Sequence, residues 1–183
     1  MKRYLFILSA LIGGFGIVRG QTGSSHNILI SVPRVALISV ETTNNDGIVF
    51  QMREPNEAGH RINIANRQMS GLWLNYSSTL QKSQGTHKVY ATITGSLPEG
   101  FTLALEAGTY TGDGKGKMGQ PSGKKFLSQT PVEVISQIGN CYTGKGINNG
   151  HQLTYFLDFD EDNYELISSG EFNHIQVTYT ITE

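Results

Sequence analysis

Cys141 and His151 are the residues whose types suit covalent chemistry, a thiol nucleophile and an imidazole base within one short stretch. A working pair needs the base to orient and deprotonate the thiol. Almost any Cys and His in a small domain can meet, so the pairing carries little weight alone. Around Cys141, the run Gly139-Asn140-Cys141-Tyr142-Thr143-Gly144-Lys145 has the spacing of a phosphate-binding loop. Gly146 stands where a Ser or Thr hydroxyl would hold Mg²⁺, and Ile147-Asn148-Asn149-Gly150 cannot start the helix whose N-terminus would face the phosphates. The stretch reads as a loop between strands. Asp158, Asp160 and Asp162 begin a calcium-loop spacing, but Asn163 replaces the turn Gly and Ser169 the bidentate Glu. His26, His60, His87, His151 and His174 sit in separate segments without ligand spacing. No nucleophile elbow or zinc-protease helix motif is present. No catalytic residue, cofactor site or metal site is expected. Trp73 and Tyr76 with Tyr90 would suit a sugar platform, although strand aromatics more often pack a core. Asn75-Tyr76-Ser77 is an N-glycosylation acceptor sequence.

The elements that must position these residues begin after the N-terminus. Lys2 and Arg3 precede an apolar run from Tyr4 to Val18, and Val18-Arg19-Gly20 offers a cleavage point before Gln21. That is the pattern of a secretory signal peptide. Residues 1–20 are therefore expected to leave one domain over 21–183, secreted to the periplasm, cell surface or exterior. No later run is long and apolar enough to span a bilayer. Across the chain 14 Lys+Arg face 15 Asp+Glu. Losing Lys2, Arg3 and Arg19 leaves 11 cations against the same 15 acids, a net charge of −4. This charge argues against a nucleic-acid partner, whose phosphates need a Lys/Arg surplus. A single Cys excludes an internal disulfide. In an oxidising compartment Cys141 is either a buried small hydrophobe or an unpaired thiol able to join another chain.

Alternation with period two dominates the remainder. Strands are expected over Ile28–Val32, Val35–Val40, Ile48–Phe50, Arg61–Ile64, Leu72–Tyr76, His87–Thr94, Phe101–Glu106, Val132–Ile138, Gln152–Asp160 and Ile175–Thr182. Turn signals separate them, among them Asn44-Asn45-Asp46-Gly47 and Leu97-Pro98-Glu99-Gly100. The expected fold is all-β, an antiparallel β-sandwich of immunoglobulin-like or pilin-like form. The Gly-rich stretch at about 108–123 reads as a long surface loop or a floppy hairpin tip.

Near the C-terminus, Gly170-Glu171-Phe172 leads into the alternating strand Val177-Thr178-Tyr179-Thr180. This pattern resembles the secreted β-sandwiches of the spore coat protein U and archaic chaperone–usher pilin type. Ile138 to Gly144, Asn149-Gly150-His151 and Leu153-Thr154-Tyr155 are similar to a group of exported Bacteroidota proteins. The resemblance implies a non-enzymatic structural or cell-surface protein, with related subunits or copies of itself as partners, assembling by strand addition. Ile28, Ile30 and Val32 are then the candidate donor residues, and Val177, Tyr179 and Ile181 of the terminal strand are further strand-addition candidates. Two readings of Ile28–Val32 stand side by side: the first strand of a complete sandwich, and a donor for another subunit. A secreted module binding glycans through Trp73, Tyr76 or the Gly112–Gly123 loop is the alternative function.

Overall fold

The computed structural model describes residues 25–43, 47–83, 85–170 and 174–182. Residues 1–20, expected to be a signal peptide, Asn44-Asn45-Asp46 of the expected turn signal, and Glu171-Phe172 lie outside them. The chain divides at Val32–Pro33 into two units. In the described part of the first, Ser25–Val32, there is no strand. Ile28, Leu29, Ile30 and Val32 are 75%, 96%, 81% and 72% exposed. The opening strand expected there does not form. A strand needs a ladder partner, and Pro33 hinders folding back onto the strand that follows. Two-residue hairpin loops want a positive φ at their first position, whereas proline holds φ near −65°.

The second unit contains β1 (Val35–Thr42), β2 (Met52–Arg53), β3 (Asn63–Ile64), β4 (Gln68–Thr79), β5 (His87–Thr94), β6 (Phe101–Thr111), β7 (Lys115–Gly116), β8 (Gln120–Pro121), β9 (Lys125–Phe126), β10 (Val132–Ile138), β11 (Cys141–Tyr142), β12 (Gly150–Phe159) and β13 (Gln176–Thr182). A short 3-10 segment, Glu161–Leu166, follows β12. The large sheet has seven strands, with β4 as its trunk. β1 pairs with one side of β4, while β12 and β11 share the other. β12 continues through β6 to β9, and β11 to β7. The second sheet runs β13-β5-β10-β8, and every pairing is antiparallel. β2 and β3 form a separate small ribbon.

Alternation explains how the sheets pack. Leu74 and Tyr76 of β4, Leu103 and Leu105 of β6, and Leu153, Tyr155 and Leu157 of β12 join one core with Val89 and Ala91 of β5 and Val134 and Ile138 of β10. Polar bonds also cross between the sheets. Ser78 Oγ lies 2.8 Å from His87 Nδ1, and the Tyr155 and Tyr179 hydroxyls are 2.6 Å apart. The all-β sandwich is as the sequence pattern implies.

The Gly-rich stretch is not the floppy loop expected. β6 runs on to Thr111, β7 pairs with β11, and β8 pairs with β10. Its glycines allow close backbone approach: a Cβ at Gly114 would overlap the Tyr142 carbonyl, and one at Gly116 the Asn140 carbonyl. Ile48–Phe50, conversely, is not a strand.

Candidate functional site

Cys141 and His151 both enter the structure, but not as a reacting pair. Cys141 opens β11, where its register with Ser78 of β4 leaves it 8% exposed. Burial pushes its thiol pKa up to about 11, away from a nucleophilic thiolate. His151, on β12, is fully buried, and both ring nitrogens have other partners. Nδ1 lies 2.8 Å from the Gly108 carbonyl oxygen and Nε2 lies 2.8 Å from the Tyr76 hydroxyl. That hydroxyl also donates to the Met118 carbonyl. The Tyr76 ring stacks on the imidazole at 5.7 Å, and the Tyr110 ring meets it edge-on at 6.1 Å.

Proton counting makes this chain unusual. Three contacts link Gly108, His151, Tyr76 and Met118, but a neutral imidazole and a phenol supply only one proton each. An imidazolium would fill all three. Burial nevertheless prevails over the two carbonyls and lowers the His151 pKa below its ordinary value. Burial likewise raises the Tyr76 hydroxyl well above its usual range. His87 is lowered as well, by burial and then by Arg34, and its Nε2 is buried without a hydrogen-bond partner among the described residues. These groups are sealed between the sheets and tie β4, β6 and β12 to the Met118 segment.

The other expected site residues also find structural roles. Trp73 is 8% exposed and Tyr76 is 3% exposed, so neither offers a ring to a sugar. Tyr76 faces the core, whereas Tyr90 lies on the outward side of β5, between buried Val89 and Ala91. The three form no common platform. Asn75 is buried: its Nδ2 donates to the Asn149 carbonyl at 2.5 Å and its Oδ1 accepts from Gly146 N at 2.7 Å. The acceptor sequence is therefore closed to glycosylation in the folded state. The Gly139–Lys145 run becomes β11 and a turn, with no helix following it. Asp158 is engaged by Arg67 at 2.9 Å, and Asp160 Oδ2 accepts from Asn163 at 2.9 Å.

The β1–β13 side differs from this sealed centre. β1 ends the large sheet beside β4, β13 ends the small sheet beside β5, and the two strands lie near one another. Val177, Tyr179 and Ile181 pack on the core yet are only half-buried. Their register partners on β5, Ile93, Ala91 and Val89, are buried. On β1, Val40 is 39% exposed although its register partner Leu74 is completely buried.

Fold and site together define an all-β sandwich with a sealed polar centre and one under-covered side, preceded by an exposed apolar segment. The chain matches no protein-family model, no curated protein and no solved structure.

Proposed function

We propose that the chain is an exported, non-enzymatic structural subunit that assembles by strand addition. In this reading Ile28–Val32 of one copy joins the β13 edge of the next. The observation carrying this is Ile28–Val32 itself, an alternating apolar segment exposed and outside any strand. Leaving Ile28, Ile30 and Val32 in water forgoes roughly 1.5–3 kcal/mol each relative to full burial. Pro33 hinders a tight hairpin with the chain's own β1, which favours a neighbour as acceptor. A fifth strand beside β13 would cover Val177, Tyr179 and Ile181, the half-buried row of the terminal strand. Sheet hydrogen bonds supply the affinity and the alternating pockets the register. Export rests on the Lys2-Arg3 start and the Tyr4–Val18 run. The absence of enzymatic work is supported by the sealed, unreactive settings of Cys141 and His151.

The test uses the mature chain beginning at Gln21. Concentration-dependent oligomers are expected in sedimentation, and Ile30→Asp should abolish them without lowering the thermal midpoint. A chain lacking Asn27–Val32 should stay monomeric and bind a peptide with the Asn27–Val32 sequence. A monomer at every concentration, with no peptide binding by the shortened chain, would overturn the proposal.

A further inference from the structure

The outer face of the large sheet carries an aromatic groove that strand assembly does not use. In one row of the ladder, Phe156 of β12 pairs with Ala104 of β6, and Ala104 pairs with Phe126 of β9. Two phenyl rings thus flank one small side chain. Ala104 is almost fully covered at 2% exposure, while Phe126 is 66% exposed and Phe156 half-buried. The groove beside them has a volume of about 290 Å³, and Thr102, Lys124, Asp158 and Asp160 help to line it. That volume falls just short of the range for small-molecule sites, which run from about 300 Å³ upward.

The charges narrow the ligand class. Asp158 is held by Arg67 at 2.9 Å and also accepts from the Phe159 N–H. Glu161, at the same end, is paired with Arg61. Lys124 Nζ sits 4.2 Å from the centroid of the Phe156 ring. Asp160, whose Oδ2 accepts from the Asn163 amide, and Lys124 carry opposite charges in the same lining, so the groove as a whole demands neither a cation nor an anion. It still offers hydrogen bonds, through the Thr102 hydroxyl, the Lys124 ammonium and carboxylate lone pairs. Exposed aromatic rings beside such groups suit a ligand with an apolar C–H face and a rim of hydroxyls.

We propose that the Phe126–Phe156 groove is a binding site for a neutral saccharide. Phe126 contacts the apolar face of a pyranose ring, Phe156 with Lys124 over it flanks that ring, and Thr102 with Asp160 bonds its hydroxyls. The site is independent of the β13 edge, and its outcome does not depend on assembly.

The experiment is an amide NMR titration of the mature chain carrying Ile30→Asp, which keeps it monomeric in the strand-addition reading. Its probes are maltose, cellobiose and chitobiose as neutral sugars, glucuronate as an anion and butylammonium as a cation. Neutral sugars should shift the amides of Thr102, Phe126 and Phe156. Phe126→Ala should weaken binding about tenfold or more with the thermal midpoint unchanged, because that ring is mostly in water. The proposal is overturned if no neutral sugar shifts these amides, or if Phe126→Ala binds as well as the parent. It also fails if only butylammonium or glucuronate binds, or if dilution alone shifts the same amides, which would mark self-docking.

Discussion

Leu74 and Val40 face each other in the same row of one sheet, yet Leu74 is fully buried and Val40 is 39% exposed. Leu74 sits on the trunk strand, between β1 and β12 and beneath the second sheet. Val40 lies one strand further out, where the sandwich ends. Similar side chains at adjacent positions therefore have different energetic worth, set by the layers around them. The centre is closed and also holds buried polar groups, whereas the β1–β13 side is apolar and incompletely covered. A sandwich built this way is closed at its middle and less covered at its side.

The sharpest break in that comparison is truncation in the row itself. Leu74→Ala should cost about 2–5 kcal/mol, because the sealed centre cannot collapse around the cavity. Val40→Ala should cost less than about 1 kcal/mol, since much of that side chain is already hydrated. Urea midpoints of the two variants at constant m-value measure the contrast. Equal losses would show that the side is as closed as the centre.

Acidification strikes the centre and spares the side. The folded state holds His151 and His87 below their ordinary pKa, so it binds fewer protons than the unfolded chain below about pH 6.5. Their stabilising contribution is complete above that pH and is lost as pH falls toward the folded values. His151 contributes up to about 1.4 kcal/mol per pH unit in this window, and His87 has the same sign. Urea unfolding at pH 7 and at pH 5 reports the loss. His151→Gln should flatten the profile, and an unchanged slope would remove His151 from the account.

A smaller effect tests the cross-sheet pair of Ser78 and His87. Ser78→Ala removes the partner of His87 Nδ1 beside an already orphaned Nε2. The expected loss is about 1–3 kcal/mol. Adding His87→Phe removes the remaining buried polar atoms, and the double variant should be more stable than Ser78→Ala alone. If the double variant is weaker than either single change, the pair's role lies in packing.

Period-two alternation located the fold because it records which side chains face a core. It placed β5 and β10 at His87–Thr94 and Val132–Ile138, the bounds found. It also put Phe156 and Asp158 on the face of β12 opposite Leu153, Tyr155 and Leu157, which is where the aromatic groove lies. Alternation does not identify what lies across from a residue. Lys115–Gly116 and Cys141–Tyr142 are two-residue strands held by long-range partners, so their local sequence reads as loop. Trp73 and Asn75 lie on the outward face of β4 yet both are buried, and the Gly146–Asn149 turn caps Asn75 from a distant part of the chain. Ile28–Val32 shows the converse: strong strand propensity forms no strand without a partner edge.

The least disruptive change examines that edge directly. Ile181 belongs to the half-buried row of β13 and pairs in register with buried Val89. Truncating it to Ala in the chain lacking Asn27–Val32 should lower stability by only about 0.5–1.5 kcal/mol, because part of the lost surface was already wet. Adding the Asn27–Val32 peptide should then stabilise the parent shortened chain more than the Ile181→Ala chain, since the peptide buries the surface that the substitution removes. Thermal midpoints with and without saturating peptide measure both terms, because a ligand that binds only the folded state raises stability with its concentration over Kd. Equal stabilisation of both chains would place the peptide away from Ile181, and the under-covered row would then need a different occupant.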